Sequence, residues 1–274
     1  MALRFSKMHG IGNDFVVIDC RDCALALAPS RIAAIGDRHF GVGFDQLLTI
    51  EPARDASCAF YYGIYNSDGS TSGQCGNGVR CVAAWLRRAG ALGAGRVRLE
   101  SPSGPVDVEL LADGRVRVNM GEPRFGARDV PLNLPDADSY MLDVAGNQVM
   151  FGAVSLGNPH AVVEVENAIV AVDALGRALS TRTEFPQGCN ADFVEVKDRD
   201  RLVLRVWERG AGATLACGTG ACAAVAVLHR RGRVDDTVAV TLPGGTLEIN
   251  WRGPGHDLWM TGPAAFVYEG EIDE

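Results

Sequence analysis

The sequence predicts an α+β protein of two pseudo-symmetric domains, each a curved, barrel-like sheet wrapped around a central buried helix. Three observations carry that expectation. A cysteine in a Gly-rich turn that runs straight into an apolar helix occurs twice, as QCGNGVRC at 74–81 and as CGTGAC at 217–222. Other landmarks repeat at nearly constant distance: Asn13 and Asn158 are 145 residues apart, Gln46 and Asn190 144, Asn66 and Glu208 142, Cys75 and Cys217 142, and Met120 and Met260 140. Anchors that stay in register over this length mark an internal duplication. Finally, the segments 79–86 and 221–228 are apolar nearly all round, and a helix without a polar face has to be enclosed. The halves are expected at 1–122 and 123–263, with a linker at 123–135 and the tail 264–274 packing back on the first half.

In the first half, FSKMHGIGNDFVVID (5–19) is a Gly-rich turn with Asn13 feeding a strand at 15–18. Residues 29–35 suit a short helix, 41–50 a turn and strand, and 59–65 a strand ending in Asn66-Ser67-Asp68-Gly69. The Cys75 helix stops at Arg87-Arg88-Ala89-Gly90, cations and then glycine, as helix ends prefer. Residues 106–110 and 115–120 alternate apolar and polar around Asp113-Gly114, a hairpin signal. From Phe125 the plan restarts. AVSLGNPH (153–160) leads into a strand at 161–165, Gly188-Cys189-Asn190 into one at 193–196, and 202–206 ends at Trp207-Glu208-Arg209. The Cys217 helix stops at Arg230-Arg231-Gly232, and 246–251 with 257–260 reads as a second hairpin.

Composition narrows the function classes. With 47% apolar and 22% charged residues over 274 positions the chain is an ordinary globular protein of one large or two medium domains. A net charge of −8 argues against a nucleic-acid binder. The start, MALRFSKMHG, carries no apolar signal core, and no run approaches the ~18 apolar residues of a membrane span. Eight irregularly spaced cysteines do not make a disulfide framework, so a reducing cytoplasm is expected. Cys20 and Cys23 form a lone CxxC without the second pair a zinc site needs. They read as spectators, as do Cys58 and Cys189, whereas Cys81 and Cys222 read as packing residues. A Walker A sequence is absent and Gly10-Ile11-Gly12 lacks the rest of a dinucleotide fingerprint, so no cofactor is expected.

Equivalent loops of a pseudo-twofold protein are expected to face each other across the domain interface, a usual place for a pocket. Cys75 and Cys217 would then approach one point from opposite sides, each with a pKa lowered by its helix N-terminus. Two thiols flanking one carbon suit stereochemical inversion: a thiolate removes a proton, and the opposite thiol returns one to the other face. Backbone N–H groups of Gly76, Asn77, Gly218 and Thr219 are placed to hold a substrate carboxylate as its α-carbon turns planar. Asn13, Gln46, Asn66, Asn158, Asn190, Glu208 and Arg209 complete an amino-acid-binding set: the arginine for a carboxylate, Glu208 and amide oxygens for an ammonium. His160, in the twin of the Asn13 loop, reads as functional; His9, His39, His229 and His256 read as structural or solvated.

MHGIGNDFVVID, GFDQLL, NSDGS followed by QCGNGVRC, GNPHAV and ERGAGATLACGTGACA together resemble the diaminopimelate epimerase family, from residue 5 to about 267. The resemblance implies a cofactor-independent isomerase, without pyridoxal phosphate or metal, that interconverts LL- and meso-diaminopimelate for bacterial lysine and cell-wall synthesis. By position it implies that Cys75 and Cys217 are the acid/base pair, with His160 tuning Cys75 and Glu208 tuning Cys217. It implies substrate binding by Asn13, Gln46, Asn66, Gly76, Asn77, Asn158, Asn190, Glu208, Arg209, Gly218 and Thr219, and a homodimer supported by Tyr268. Two departures stand out: Thr71-Ser72-Gly73 is more polar and flexible than the family's acidic stretch, and Cys189 stands where another small residue is expected. A proline or hydroxyproline epimerase would share the two-cysteine logic but would not need so many amides and an arginine for a second amino-acid end. A thiol redox protein would leave Glu208, Arg209 and the paired asparagines idle. A zinc module lacks ligand spacing.

Overall fold

A computed structural model describes residues 3–22 and 27–273; Cys23, half of the CxxC, lies outside them. The chain divides into two compact units, Met1–Asn119 with Thr261–Glu274, and Met120–Met260. The first contains β1 (Leu3–Gly10), β2 (Asn13–Asp19), α1 (Pro29–Gly36), β3 (Gln46–Pro52), β4 (Phe60–Asn66), α2 (Gly76–Arg88), β5 (Gly95–Ser101), β6 (Gly104–Leu110) and β7 (Val116–Asn119). The second contains β8 (Tyr140–Val144), β9 (Asn147–Ser155), β10 (Pro159–Glu164), α3 (Ala168–Ser180), β11 (Asn190–Asp198), β12 (Arg201–Glu208), β13 (Gly212–Ala213), α4 (Gly218–Arg230), β14 (Thr237–Leu242) and β15 (Gly245–Asn250). After β16 (Trp259–Gly262), β17 (Ala265–Ile272) belongs to the first unit.

In the first unit the strands pair in the order β17-β1-β2-β3-β4-β5-β6-β7, parallel only at β2–β3 and β4–β5. In the second they pair as β8-β9-β10-β11-β12-β14-β15, parallel only at β10–β11 and β12–β14, with β13 added to β12. The repeat seen in the sequence is therefore a repeat of strand pairing. Even the register agrees: Phe15 opposite Gln46 in β2–β3 takes the place of His160 opposite Asn190 in β10–β11.

Each sheet curves around one helix because that helix has little polar surface to give to water. Helix α2 contacts β1, β2, β3, β6 and β7, and α4 contacts β9, β10, β11, β12 and β15. Residues 221–228 of α4 are all buried; enclosing each Val or Leu among them contributes roughly 1.5–3 kcal/mol. Both helices start at a cysteine N-cap, and both end in cations followed by a glycine with positive φ, +72° at Gly90 and +68° at Gly232. That left-handed conformation is the one in which glycine closes a helix C-terminus without steric cost.

Four expectations are corrected. The segment 79–86 is not wholly apolar in its packing, because Arg80 is completely buried, with Nη1 donating to the Gly76 carbonyl and Nε to that of Pro263. Carbonyl acceptors are what make a guanidinium tolerable inside. Helix α3 had no counterpart in the sequence reading. It starts at Asn167, whose side chain accepts the N–H groups of Ile169 and Val170, but Ile169 and Val170 themselves stay exposed and Gly176 interrupts the helical pattern. A Cβ at Gly176 would lie 2.8 Å from Trp207, so the glycine is set by close packing on β12. A hairpin that the expectation left out joins β14 to β15 through Pro243-Gly244, with Leu242 opposite Gly245, the Pro-Gly pair marking the turn. Residues 123–135, expected as a linker, supply Ala127, Val130 and Leu132 to the core of the second unit.

Candidate active site

In the first unit the polar residues gather where β2, β3 and β4 meet the start of α2. Gln46 opens β3 and Asn66 closes β4 as direct cross-strand partners, so their side chains lie together, Gln46 Nε2 donating to Asn66 Oδ1 at 3.0 Å. The other amide atom, Gln46 Oε1, is buried with no partner among the described residues. Asn13 opens β2. Its Nδ2 donates to Asp45 Oδ2 at 2.8 Å, which turns Oδ1 to accept Asn77 Nδ2 at 3.2 Å and the Cys75 thiol at 3.8 Å. Half-buried Cys75 is the N-cap of α2, with Sγ accepting the Gly78 N–H at 3.3 Å. Behind Asn13, Asp14 is clamped by Lys7 at 2.5 Å and Arg38 at 2.7 Å. Burial works against its charge, but the hydrogen bonds and charges of Arg38 and Lys7 outweigh it and hold the pKa at about 2.

The second unit repeats the layout with different chemistry. Cys217, 3% exposed, caps α4 and accepts the Gly220 N–H at 3.4 Å. Its thiol also hydrogen-bonds Glu208, whose Oε1 accepts the Thr214 hydroxyl at 2.5 Å. His160 is completely buried: Nδ1 lies 2.7 Å from Asp192 Oδ2, and Nε2 faces Asn158 Oδ1 at 3.1 Å and Asn190 Nδ2 at 3.3 Å. Asn158 Nδ2 reaches Thr219 Oγ1 at 3.2 Å, and Asn190 Oδ1 accepts the Arg209 N–H at 2.9 Å. The Arg209 guanidinium is exposed and holds the Gln187 carbonyl through Nη1. Gly76 and Asn77, like Gly218 and Thr219, form the first turns of their helices, where backbone N–H groups have no acceptor within the helix.

The electrostatics correct one expectation. Cys217 has its pKa raised well above the ordinary thiol value, by burial first and then by the charges of Glu208 and Asp192; the Thr219 hydroxyl and the Gly220 N–H pull the other way and lose. The helix N-terminus alone would have lowered it. Glu208 is also raised by burial, against the hydrogen bonds of Thr214 and Cys217. At rest Cys217 is therefore a protonated thiol aimed at a carboxylate. Such a group can give up a proton where a carbanion forms, and it can become a thiolate if its proton passes to the Glu208 carboxylate, which moves one negative charge from oxygen to sulfur. Among the described residues no group of three or more His, Cys, Asp or Glu side chains is arranged to hold a metal ion.

The family model for diaminopimelate epimerase matches residues 5–126 and 152–267. The chain belongs to the diaminopimelate epimerase family. A diaminopimelate epimerase of Xanthomonas axonopodis pv. citri (strain 306) is 51% identical over 272 residues, covering 98% of this chain and 96% of the relative. Membership makes the protein an isomerase. Among solved structures, a PhzF-family phenazine biosynthesis protein of Bacillus anthracis superposes with a TM-score of 0.71 at 16% identity, covering all of both chains. A hydroxyproline epimerase of Agrobacterium vitis with bound trans-4-hydroxy-L-proline superposes with a TM-score of 0.70 at 17% identity, over 99% of this chain and 92% of the other. At such identities the likeness is one of fold, and that fold is the α+β, two-domain arrangement described above.

Of the residues singled out from the sequence of this epimerase-family chain, Asn13, Cys75 and Asn77 form one bonded group, and Gln46 and Asn66 another. Asn158, His160, Asn190, Arg209, Cys217, Thr219 and Glu208 fall into adjoining bonded groups of the second unit. Tyr268 lies apart from these groups on β17, 47% exposed, its ring edge-on to Phe5 at 5.9 Å. Cys81, Cys222 and Cys189 are fully buried, and burial pushes the Cys81 thiol up to about 12. The sequence reading missed Asp192 and Arg80. Asp192 was within reach, because alternate residues of a strand share a face, which puts it beside Asn190 on β11.

Proposed function

We propose that this protein interconverts LL- and meso-diaminopimelate by two-thiol proton transfer at one α-carbon, with Cys75 and Cys217 as the acid/base pair. The observation that carries the reading is the duplicated N-cap: each unit sets one thiol beneath a helix N-terminus, inside its own cluster of side-chain amides. The reading requires both thiols to reach the same carbon. A thiolate takes the α-proton, the electron pair left on carbon delocalises into the substrate carboxylate, and the other thiol delivers its proton to the opposite face. One S–H is formed and one is broken, so the two sulfurs exchange roles and the protein's total charge is unchanged. First-turn N–H groups of Gly76, Asn77, Gly218 and Thr219 stabilise the carboxylate as it gains charge. Gln46 Oε1, buried and without a partner among the described residues, is an acceptor for a substrate ammonium, and Asn13, Asn66, Asn158, Asn190 and Arg209 hold the two amino-acid ends.

His160 and Glu208 set the protonation of the thiols, Glu208 that of Cys217 and His160 that of Cys75. The product supplies lysine and peptidoglycan precursor synthesis in the cytoplasm, without a cofactor. The enzyme acts as a homodimer through β17, where Val267 and Tyr268 expose apolar surface; light scattering of Tyr268→Ala should then report a monomer.

Proton NMR of LL-diaminopimelate with the reduced protein in D2O tests the activity. Loss of the α-proton signal with appearance of the meso isomer is the expected result. A folded protein with titratable thiols that leaves the substrate unchanged, but exchanges the α-proton of proline or hydroxyproline, would overturn the substrate assignment.

A further inference from the structure

The second unit contains a buried acid that the proposed chemistry does not use. Asp192 and His160 are both completely buried and paired at 2.7 Å. The same two places in the first unit, by strand register, are held by Leu48 and Phe15, also fully buried. The fold thus closes around an apolar pair as readily as around an ionisable one. An ionisable pair in that place is costly, and more so because Asp192 Oδ1 has no hydrogen-bond partner among the described residues. Packing does not explain it, which leaves the imidazole itself as the reason.

The hydrogen bonds fix what the carboxylate does to the ring. The Arg209 N–H donates to Asn190 Oδ1, so the Asn190 amide presents its NH2 to His160 Nε2. Nε2 of the neutral ring is then the acceptor, and the ring proton sits on Nδ1, pointed at Asp192 Oδ2. On the other side Nε2 faces Asn158 Oδ1, an acceptor suited to an Nε2–H. Nε2 therefore has a donor for its lone-pair state and an acceptor for its protonated state, both from residues assigned above to substrate binding.

We propose that Asp192 is a positioning residue that locks His160 in the Nδ1–H form and stabilises the imidazolium when Nε2 takes a proton. The proposal rests on the reading that His160 serves a catalytic thiol. The titratable groups facing the pair are Cys189 at the head of β11, Glu208 on β12 and Cys217 at the start of α4. Asp192 Oδ1 also lies against Gly220, where a Cβ would come within 2.7 Å of it. The glycine in Cys-Gly-Thr-Gly thus makes room for this carboxylate beside the thiol cap.

The test uses the full-length protein, Asp192→Asn and Asp192→Leu, with the α-proton exchange assay and nitrogen NMR of 15N-histidine-labelled protein. The wild type is expected to show His160 as the Nδ1–H tautomer. Asp192→Asn is expected to lose roughly 10–100-fold in kcat with KM changed less than about twofold, the range found when a partner behind a working imidazole is removed. Asp192→Leu, which copies the first unit, should fold and lose at least as much. Wild-type protein with His160 in the Nε2–H form would overturn the proposal without any variant. So would folded Asp192→Asn with wild-type kcat, or a loss in Asp192→Leu that only tracks its melting temperature. Failure of the wild type to exchange the α-proton at all would instead count against the underlying reading.

Discussion

The two N-cap cysteines occupy equivalent places in equivalent units, yet their surroundings are chemically opposed. Beside Cys75 stand the amides of Asn13 and Asn77, and the carboxylates behind Asn13, Asp14 and Asp45, are paired with Lys7 and Arg38. Around Cys217 burial raises the thiol pKa first, and the carboxylates of half-buried Glu208 and fully buried Asp192 push it further up. A duplicated scaffold has thus been given two different local environments by changing a few side chains on β2, β3, β4, β10, β11 and β12. In the proposed reaction, which needs one thiol to start with its proton, the surroundings of Cys217 favour that thiol as the protonated one.

The largest effect expected comes from erasing either thiol. Cys75→Ser and Cys217→Ser should each lower kcat for epimerisation by about 10³-fold, near the middle of what one positioned acid or base supplies. Thermal midpoints should change little, since a serine hydroxyl still caps the helix. Near-wild-type turnover by either variant would end the two-thiol reading.

A second way to break the comparison is to carry the acid across. Leu48→Asp places a carboxyl in the first unit at the position of Asp192 but opposite Phe15, with no imidazole to meet it. It should cost about 3 kcal/mol in urea unfolding, the scale for a buried polar group without a partner. Phe15→His added to it should recover part of that loss. A double variant no more stable than Leu48→Asp alone would mean that the units differ in more than the identity of this pair.

The third test sharpens the contrast between the thiols. Glu208→Gln in a Cys75→Ala background removes a like charge beside Cys217 while keeping the shape. Because that charge raises the thiol, the pH at which iodoacetamide begins to alkylate Cys217 should move down. An unmoved inflection would take Glu208 out of the account and leave burial, the largest cause, with Asp192.

What the sequence revealed and what it hid follow from the same physics. The paired turns, the amides at strand ends and the helices behind them were legible because glycine, cysteine and asparagine in fixed order carry their own local signature. Asp192 shares a strand face with Asn190 and so was within reach, but its partner His160 lies in a neighbouring strand paired in parallel, across 32 residues of chain, and that pairing was not legible. Arg80 was hidden inside an apolar run, since its acceptors include a carbonyl 183 residues away. Helix α3 was hidden because exposed Ile169 and Val170 blur its buried face. The lowered thiol pKa read from the helix N-terminus failed at Cys217 because burial and two carboxylates, supplied by other strands, outweigh one helix end.

The smallest expected effect is a difference in how the two units answer to acid. Asp14 is lowered in the folded state, from 3.8 to about 2. A carboxylate so lowered contributes stability above its unfolded pKa and loses it as pH falls through the folded one, so the first unit should weaken between about pH 4 and pH 2. After discounting for partial exposure, the contribution is about 1 kcal/mol. Asp192 and Glu208 are shifted the other way, upward by burial. Their contribution is fully present below the unfolded pKa and lost as pH rises through the folded one, so acid relieves the second unit of a strain it adds to the first. Hydrogen exchange, corrected for intrinsic rates and followed in peptides from β2–β3 and β10–β11, should lose protection first in β2–β3 on acidification. Arg38→Ala should flatten that response, because the guanidinium hydrogen bond is the largest of the influences lowering Asp14. Equal loss in both peptides would show that acid acts on the whole chain and that the opposed shifts do not govern local stability.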